Sequence, residues 1–82
     1  MLVKVKCFAW AFEVTGSEEI EIEIKESAKV SDLRECLSQK YPQFSGRMES
    51  IAVSINQEFA GEGSIISASD EIALIPPISG GI

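Results

Sequence analysis

The sequence predicts an α+β domain in which one principal helix lies across a mixed sheet, and three observations carry that expectation. Several segments alternate apolar and polar residues with the period of a half-buried strand, most cleanly Val3, Val5, Cys7 and Ile20, Ile22, Ile24. Between Val30 and Tyr41 the period changes, because Val30, Leu33, Leu37 and Tyr41 fall at helical spacing. A ferredoxin-like split arrangement would need a second full-length helix between the later strands, and Ala60 to Asp70 is too glycine-rich to provide one.

Taken in order, Leu2 to Phe8 reads as the first strand, with Val3, Val5 and Cys7 on one face and Lys4, Lys6 and Phe8 on the other. Ala9 to Val14 makes a short helix closed by Gly16, since glycine tolerates the left-handed conformation common just past a helix end. Trp10 on this helix either packs inward or is presented to solvent. In the second strand Ile20, Ile22 and Ile24 face the core, while the acidic row Glu19, Glu21 and Glu23 faces water and serves solubility. Ser31 or Asp32 caps the main helix, Asp32 and Glu35 having capping-box spacing, and Pro42 ends it. Gln43 to Ser50 reads as loop. Ile51, Val53 and Ile55 then alternate as a third strand, Asn56-Gln57 turns it, Glu58 to Ala60 returns as a short strand, and Gly61 and Gly63 flank a flexible loop. Glu71 to Ile75 is the last strand, with Ile72 and Leu74 inward. This order fits the β-grasp fold, with residues 1–75 as the domain and residues 76–82 as an extended C-terminal tail.

At 82 residues the chain has room for one domain. Such a small core leaves little interior for a cofactor cavity, so chemistry shared with a partner is favoured over chemistry confined to this chain. The net charge of −6, without a basic patch, argues against nucleic-acid and anionic-membrane partners. The longest apolar stretches fall far short of the roughly 20 residues that span a bilayer. Met1-Leu2-Val3-Lys4-Val5 alternates like a strand and lacks the layout of a signal peptide, so a cytoplasmic location is expected. Cys7 and Cys36 are the only cysteines, too few for a four-cysteine iron–sulfur cluster. With no histidine, structural zinc and histidine acid–base chemistry are also out of reach, and neither a metal site nor a bound cofactor is expected. Both thiols read as small apolar side chains.

Two features carry function. The first is the tail Pro76-Pro77-Ile78-Ser79-Gly80-Gly81-Ile82, in which two prolines make a stiff, extended stem. Beyond them Ser79, Gly80 and Gly81 are slender enough for the backbone to enter a channel that larger side chains would block. That suits delivery of a terminal carbonyl group. A carboxylate is a poor acyl group until adenylation supplies a leaving group, and sulfur can then replace the adenylate to leave a thiocarboxylate. The plain alternative is a frayed terminus. The second feature is apolar: Phe8 shares a face with Lys4 and Lys6, Ile75 shares one with Glu71 and Ala73, and Phe59 can join them. A hydrophobic cluster beside the root of the tail would form a docking surface, unless a loop covers it.

Four segments resemble the small-subunit family of molybdopterin synthases, which are ubiquitin-like sulfur carriers. They are Val5-Lys6-Cys7-Phe8-Ala9 with Glu13 and Gly16, Val30-Ser31-Asp32-Leu33-Arg34, Ala52-Val53-Ser54-Ile55-Asn56-Gln57, and Asp70 through Gly81. The last, an acidic-start strand running into two prolines and then diglycine, is the most specific. The resemblance implies that a ubiquitin-activating-type adenylyltransferase uses ATP on the Gly81 carboxylate, and that a sulfurtransferase system then installs a thiocarboxylate. It implies that the stretch Pro76, Pro77, Ile78, Ser79, Gly80 inserts into the large synthase subunit, where sulfur passes to cyclic pyranopterin monophosphate. Two charged carriers make each dithiolene of molybdopterin, for the molybdenum cofactor. By the same resemblance Phe8, Phe59 and Ile75 are docking positions, the assembly is a heterotetramer of two small subunits on a large-subunit dimer, and the chain is no enzyme on its own.

Two departures stand out. Phe12 occupies a position where relatives often carry a basic residue. Ile82 follows the diglycine, so Gly81 is held in a peptide bond, and carrier chemistry at Gly81 requires loss of Ile82. The rival is adenylation of Ile82 itself, whose β-branched side chain would crowd the activating pocket. The alternatives to this function are a thiazole-synthesis sulfur carrier, a ubiquitin-like protein modifier joined through Gly81 to lysines, and a non-catalytic docking domain.

Overall fold

The structure, a computed structural model, describes residues 1–77. The alternating segments form one five-stranded sheet of order β2-β1-β5-β3-β4. Strand β1 (Leu2–Cys7) lies between β2 (Glu19–Glu23), antiparallel to it, and β5 (Glu71–Ile75), parallel to it. On the far side of β5 run β3 (Ala52–Ile55), antiparallel to it, and the two-residue β4 (Glu58–Phe59). The parallel β1–β5 contact cannot be closed by a hairpin, so the chain between those strands carries the helix that covers the sheet. That helix is α2 (Val30–Lys40). Its Val30, Leu33 and Leu37 are fully buried and join Val3, Val5, Ile22, Val53, Ile72 and Leu74 in one core cluster. Burial of each Val, Leu or Ile side chain contributes about 1.5–3 kcal/mol of transfer free energy.

The short helix α1 (Trp10–Thr15) starts one residue later than the sequence predicts. Ala9 has a φ of 53°, which places it outside a right-handed helix, and Gly16 ends the helix at a φ of 77° with its N–H on the Phe12 carbonyl. At the start of α2 the cap position belongs to Lys29. Of the two predicted caps, Asp32 makes a bond, and it reaches back from inside the helix to accept the Lys29 N–H at 2.9 Å. Ser31 caps nothing; its N–H donates to the Glu62 carbonyl, and that of Val30 donates to Ser64. The glycine-flanked loop thus satisfies two of the free amides at the start of the helix. Arg34 ties the same region together, donating to the Glu62 carboxylate at 2.7 Å and to the Met48 carbonyl at 2.6 Å.

The stretch read as loop between Gln43 and Ser50 contains two 3-10 turns, Pro42–Phe44 and Met48–Ser50, and buries Phe44 and Met48. Two apolar residues four apart, separated by Ser45, Gly46 and Arg47, fit one face of a helix and one face of a strand equally and are too few to establish either period, so only the packing reveals them as core. Phe44 accepts Trp10 and Tyr41 against its ring at centroid distances of 6.1 and 6.0 Å. Trp10 is therefore packed inward, and its other side is covered by the Arg47 guanidinium, 4.2 Å from the ring centroid.

Candidate functional site

The face of the sheet turned away from α2 carries the predicted site, and strand register decides what meets there. Across the sheet, Phe59 on β4 pairs with Ser54 on β3, Ser54 with Ala73 on β5, Ala73 with Lys6 on β1, and Lys6 with Glu19 on β2. One step nearer the tail, Ala52 pairs with Ile75, and the Phe8 N–H extends the β1–β5 ladder to the Leu74 carbonyl at 3.2 Å. Large residues therefore stand around two small ones. Phe8, Phe59 and Ile75 wall a depression of about 330 Å³ whose floor is Ala73 and Ser54 and whose rim includes Gln57 and the Lys6–Glu71 ion pair.

All three predicted docking residues are brought together here. They are 49%, 77% and 36% exposed, respectively for Phe8, Phe59 and Ile75, so no loop among the described residues covers them. Such a concentration of large apolar side chains on one outer face makes it the candidate docking surface of the chain. The hydrogen bond and charge of Glu71, with a smaller contribution from Glu19, raise the Lys6 pKa, keeping the rim cation charged throughout the physiological range. Asn56 fixes the edge of the site. Its N–H donates to the Glu71 carbonyl, its amide group donates to Asp70, and its side-chain oxygen accepts the Glu71 N–H at 2.9 Å. The hairpin that carries Gln57 and Phe59 is thus bolted to the start of β5. The sequence names the Asn56-Gln57 turn but not this link, because it joins side chain to backbone across a distance in sequence.

Ile75 ends β5 and is followed by buried Pro76 and exposed Pro77, so the tail leaves the sheet at the same end as Phe8. The predicted tail residues Ile78, Ser79, Gly80 and Gly81, together with Ile82, lie outside the described residues. Phe12, the departure on α1, is exposed. Cys7 is buried, and burial raises its thiol pKa, an effect only partly offset by the nearby Thr15 hydroxyl; the group is a neutral thiol at physiological pH. Cys36 is half-buried on α2. Among the described residues no cluster of three or more metal-ligating side chains occurs, and no helix is long and apolar enough to cross a membrane.

The sequence profile described as the ThiS family matches residues 5–81. Among curated relatives, a molybdopterin synthase sulfur carrier subunit of Dictyostelium discoideum is 38% identical over 82 residues, covering 95% of this chain and 94% of its own length. The protein of the same name from Caenorhabditis briggsae is 35% identical, with 96% of both chains covered. Among solved structures, small archaeal modifier protein 1 of Haloferax volcanii superposes with a TM-score of 0.86 at 32% identity, over 99% of this chain and all of that one. A putative molybdopterin converting factor subunit 1 from Pyrococcus furiosus gives 0.83 at 26% identity, over 94% of this chain and 98% of that one. The ubiquitin-like β-grasp architecture expected from the order of elements is the architecture of these neighbours.

Proposed function

The chain belongs to the ThiS family, and from that premise we propose that it is the sulfur-carrier small subunit of a molybdopterin synthase. The observation that carries the reading is the near-full-length likeness to sulfur carrier subunits, coupled to an apolar docking face at the root of a diglycine tail. In this role the chain is not an enzyme by itself and binds no cofactor. A ubiquitin-activating-type adenylyltransferase joins the Gly81 carboxylate to the AMP portion of ATP, releasing pyrophosphate. A sulfur donor then displaces AMP and leaves a thiocarboxylate. The large synthase subunit covers Phe8, Phe59 and Ile75, receives the tail, and passes the sulfur to cyclic pyranopterin monophosphate. Gly81 returns to a carboxylate for another cycle in the cytoplasm, within a heterotetramer of two small and two large subunits.

Gly81 is joined to Ile82, so the cycle begins with cleavage of that bond. The family match ends at residue 81, which supports Gly81 as the terminus that is activated. Intact-mass spectrometry after reconstitution with ATP, the adenylyltransferase and a sulfur donor tests both points. A chain ending at Gly81 should gain the mass of one oxygen-to-sulfur exchange, and the longer chain should do so only after losing Ile82. No exchange on the trimmed chain overturns the carrier reading; equal exchange on untrimmed Ile82 overturns the processing step. A second reading, in which the same activated Gly81 is attacked by a lysine amine of another protein, has the likeness to a small archaeal modifier protein behind it but is not favoured over the carrier role that the sulfur carrier subunits support. Isopeptide-linked conjugates in extracts of the native cell would identify it.

A further inference from the structure

Ser54 is the one buried polar residue among the described residues, at 6% exposure, and it lies on the outer face, where only the surrounding side chains shade it. Every fully enclosed side-chain polar atom of the described residues has a hydrogen-bond partner, yet the Ser54 hydroxyl has none there, so it opens into the depression. Its neighbour Ala73 is 9% exposed. These two small residues sit at paired positions between Phe59 on one side and Lys6 on the other, with Ile75 and Phe8 above them. A hydroxyl at the floor of an apolar depression is served by water only while the depression is open. Once covered, it costs free energy unless the covering group bonds to it.

We propose that Ser54 and Ala73 form a socket for an apolar side chain of the protein that receives the tail, and that the Ser54 hydroxyl donates a hydrogen bond to a carbonyl oxygen of that protein. This rests on the carrier reading and adds to it the residues that select the partner. The occupant follows from chain continuity. Ile75 is both a wall of the socket and the last residue of β5, and the six residues from there to Gly81 reach at most about 20 Å. A protein that holds Gly81 in its channel must therefore approach this face. Apolar walls call for an apolar knob, the small floor lets it enter deeply, and the hydroxyl requires an acceptor beside it. Phe8, Phe59 and Ile75 supply contact area, whereas the floor decides which knob fits.

Calorimetric titration of the full chain with the large subunit of molybdopterin synthase tests the socket, with melting curves to establish that each variant is folded. Ser54→Ala removes the donor without adding bulk and should weaken binding about five- to tenfold. Ala73→Leu fills the floor and should weaken it about thirtyfold or more. Folded variants that both bind within about twofold of the unsubstituted chain, while that chain still transfers sulfur, overturn the socket and leave the carrier reading standing. An unsubstituted chain that forms no complex removes both.

Discussion

The two faces of the sheet use the same kinds of side chain to opposite ends. On the inner face Val5, Ile72 and Leu74 are completely enclosed under α2, while on the outer face Phe8, Phe59 and Ile75 are as large and as apolar but stand open to water. Leu74 and Ile75 are neighbours in sequence and differ only in the side of the strand they occupy. The difference teaches that apolar character alone says nothing about role. A side chain enclosed by its own fold contributes to stability, and one left open beside the root of the tail contributes little to the fold and is available for contact with another surface.

The sharpest way to break that contrast is to substitute across it. Leu74→Ala should lower the unfolding free energy by about 3 kcal/mol, since it deletes a fully enclosed side chain whose surroundings can collapse only in part. Urea denaturation measures this, and a loss under about 1 kcal/mol would mean that the inner face is not the closed core it is taken for. Next in size, Ile75→Asp or Phe8→Asp should leave stability within about 0.5 kcal/mol but weaken binding to the large subunit by about 2 kcal/mol or more. Affinity unchanged by both substitutions would remove the docking role of the outer face.

Cys7 sharpens the contrast from the inner side. Cys7→Ala should cost about 1 kcal/mol, and the Cys7→Ala, Cys36→Ala double variant should still transfer sulfur in reconstitution, because a neutral, buried thiol is a poor sulfur nucleophile. The folded pKa of Cys7 lies above its ordinary value of 9.0, so the folded state holds this proton more tightly than the unfolded state. The associated stability is fully present below that value and is lost as pH rises through the folded pKa. Stability of the Cys7→Ala variant should accordingly fall less steeply above pH 9.0. A folded double variant that transfers nothing would return sulfur chemistry to a cysteine. The smallest effect belongs to the rim. Gln57 has a φ of 72°, so Gln57→Gly should raise stability by about 0.5 kcal/mol. A fall in the melting temperature would show that the Gln57 side chain holds the hairpin in a way its backbone angle conceals.

Alternation along Leu2–Cys7, Glu19–Glu23 and Glu71–Ile75, the helical spacing of Val30, Leu33 and Leu37, and Gly16 beyond the short helix located the strands and helices and their inward faces, and the glycine-rich stretch from Ala60 to Asp70, with no room for a second long helix, pointed to the β-grasp order. The sequence also placed Phe8 and Ile75 on the outer side, because a strand reports its own two faces through a period of two, whereas Phe59, on a strand of two exposed residues, could only be said to be able to join them. It could not show that Phe59, Ser54, Ala73 and Lys6 line up, since neighbours across a sheet depend on register between segments far apart in the chain. Nor could it show Phe44 and Met48 in the core, since two apolar residues on either side of Gly46 are too few to establish a period, or the bonds of Arg34 to Glu62 and to the Met48 carbonyl. Local periodicity encodes which way a residue points. What it points at is settled only when the whole chain closes on one core, and here that closure makes a depression out of two small residues and their taller neighbours.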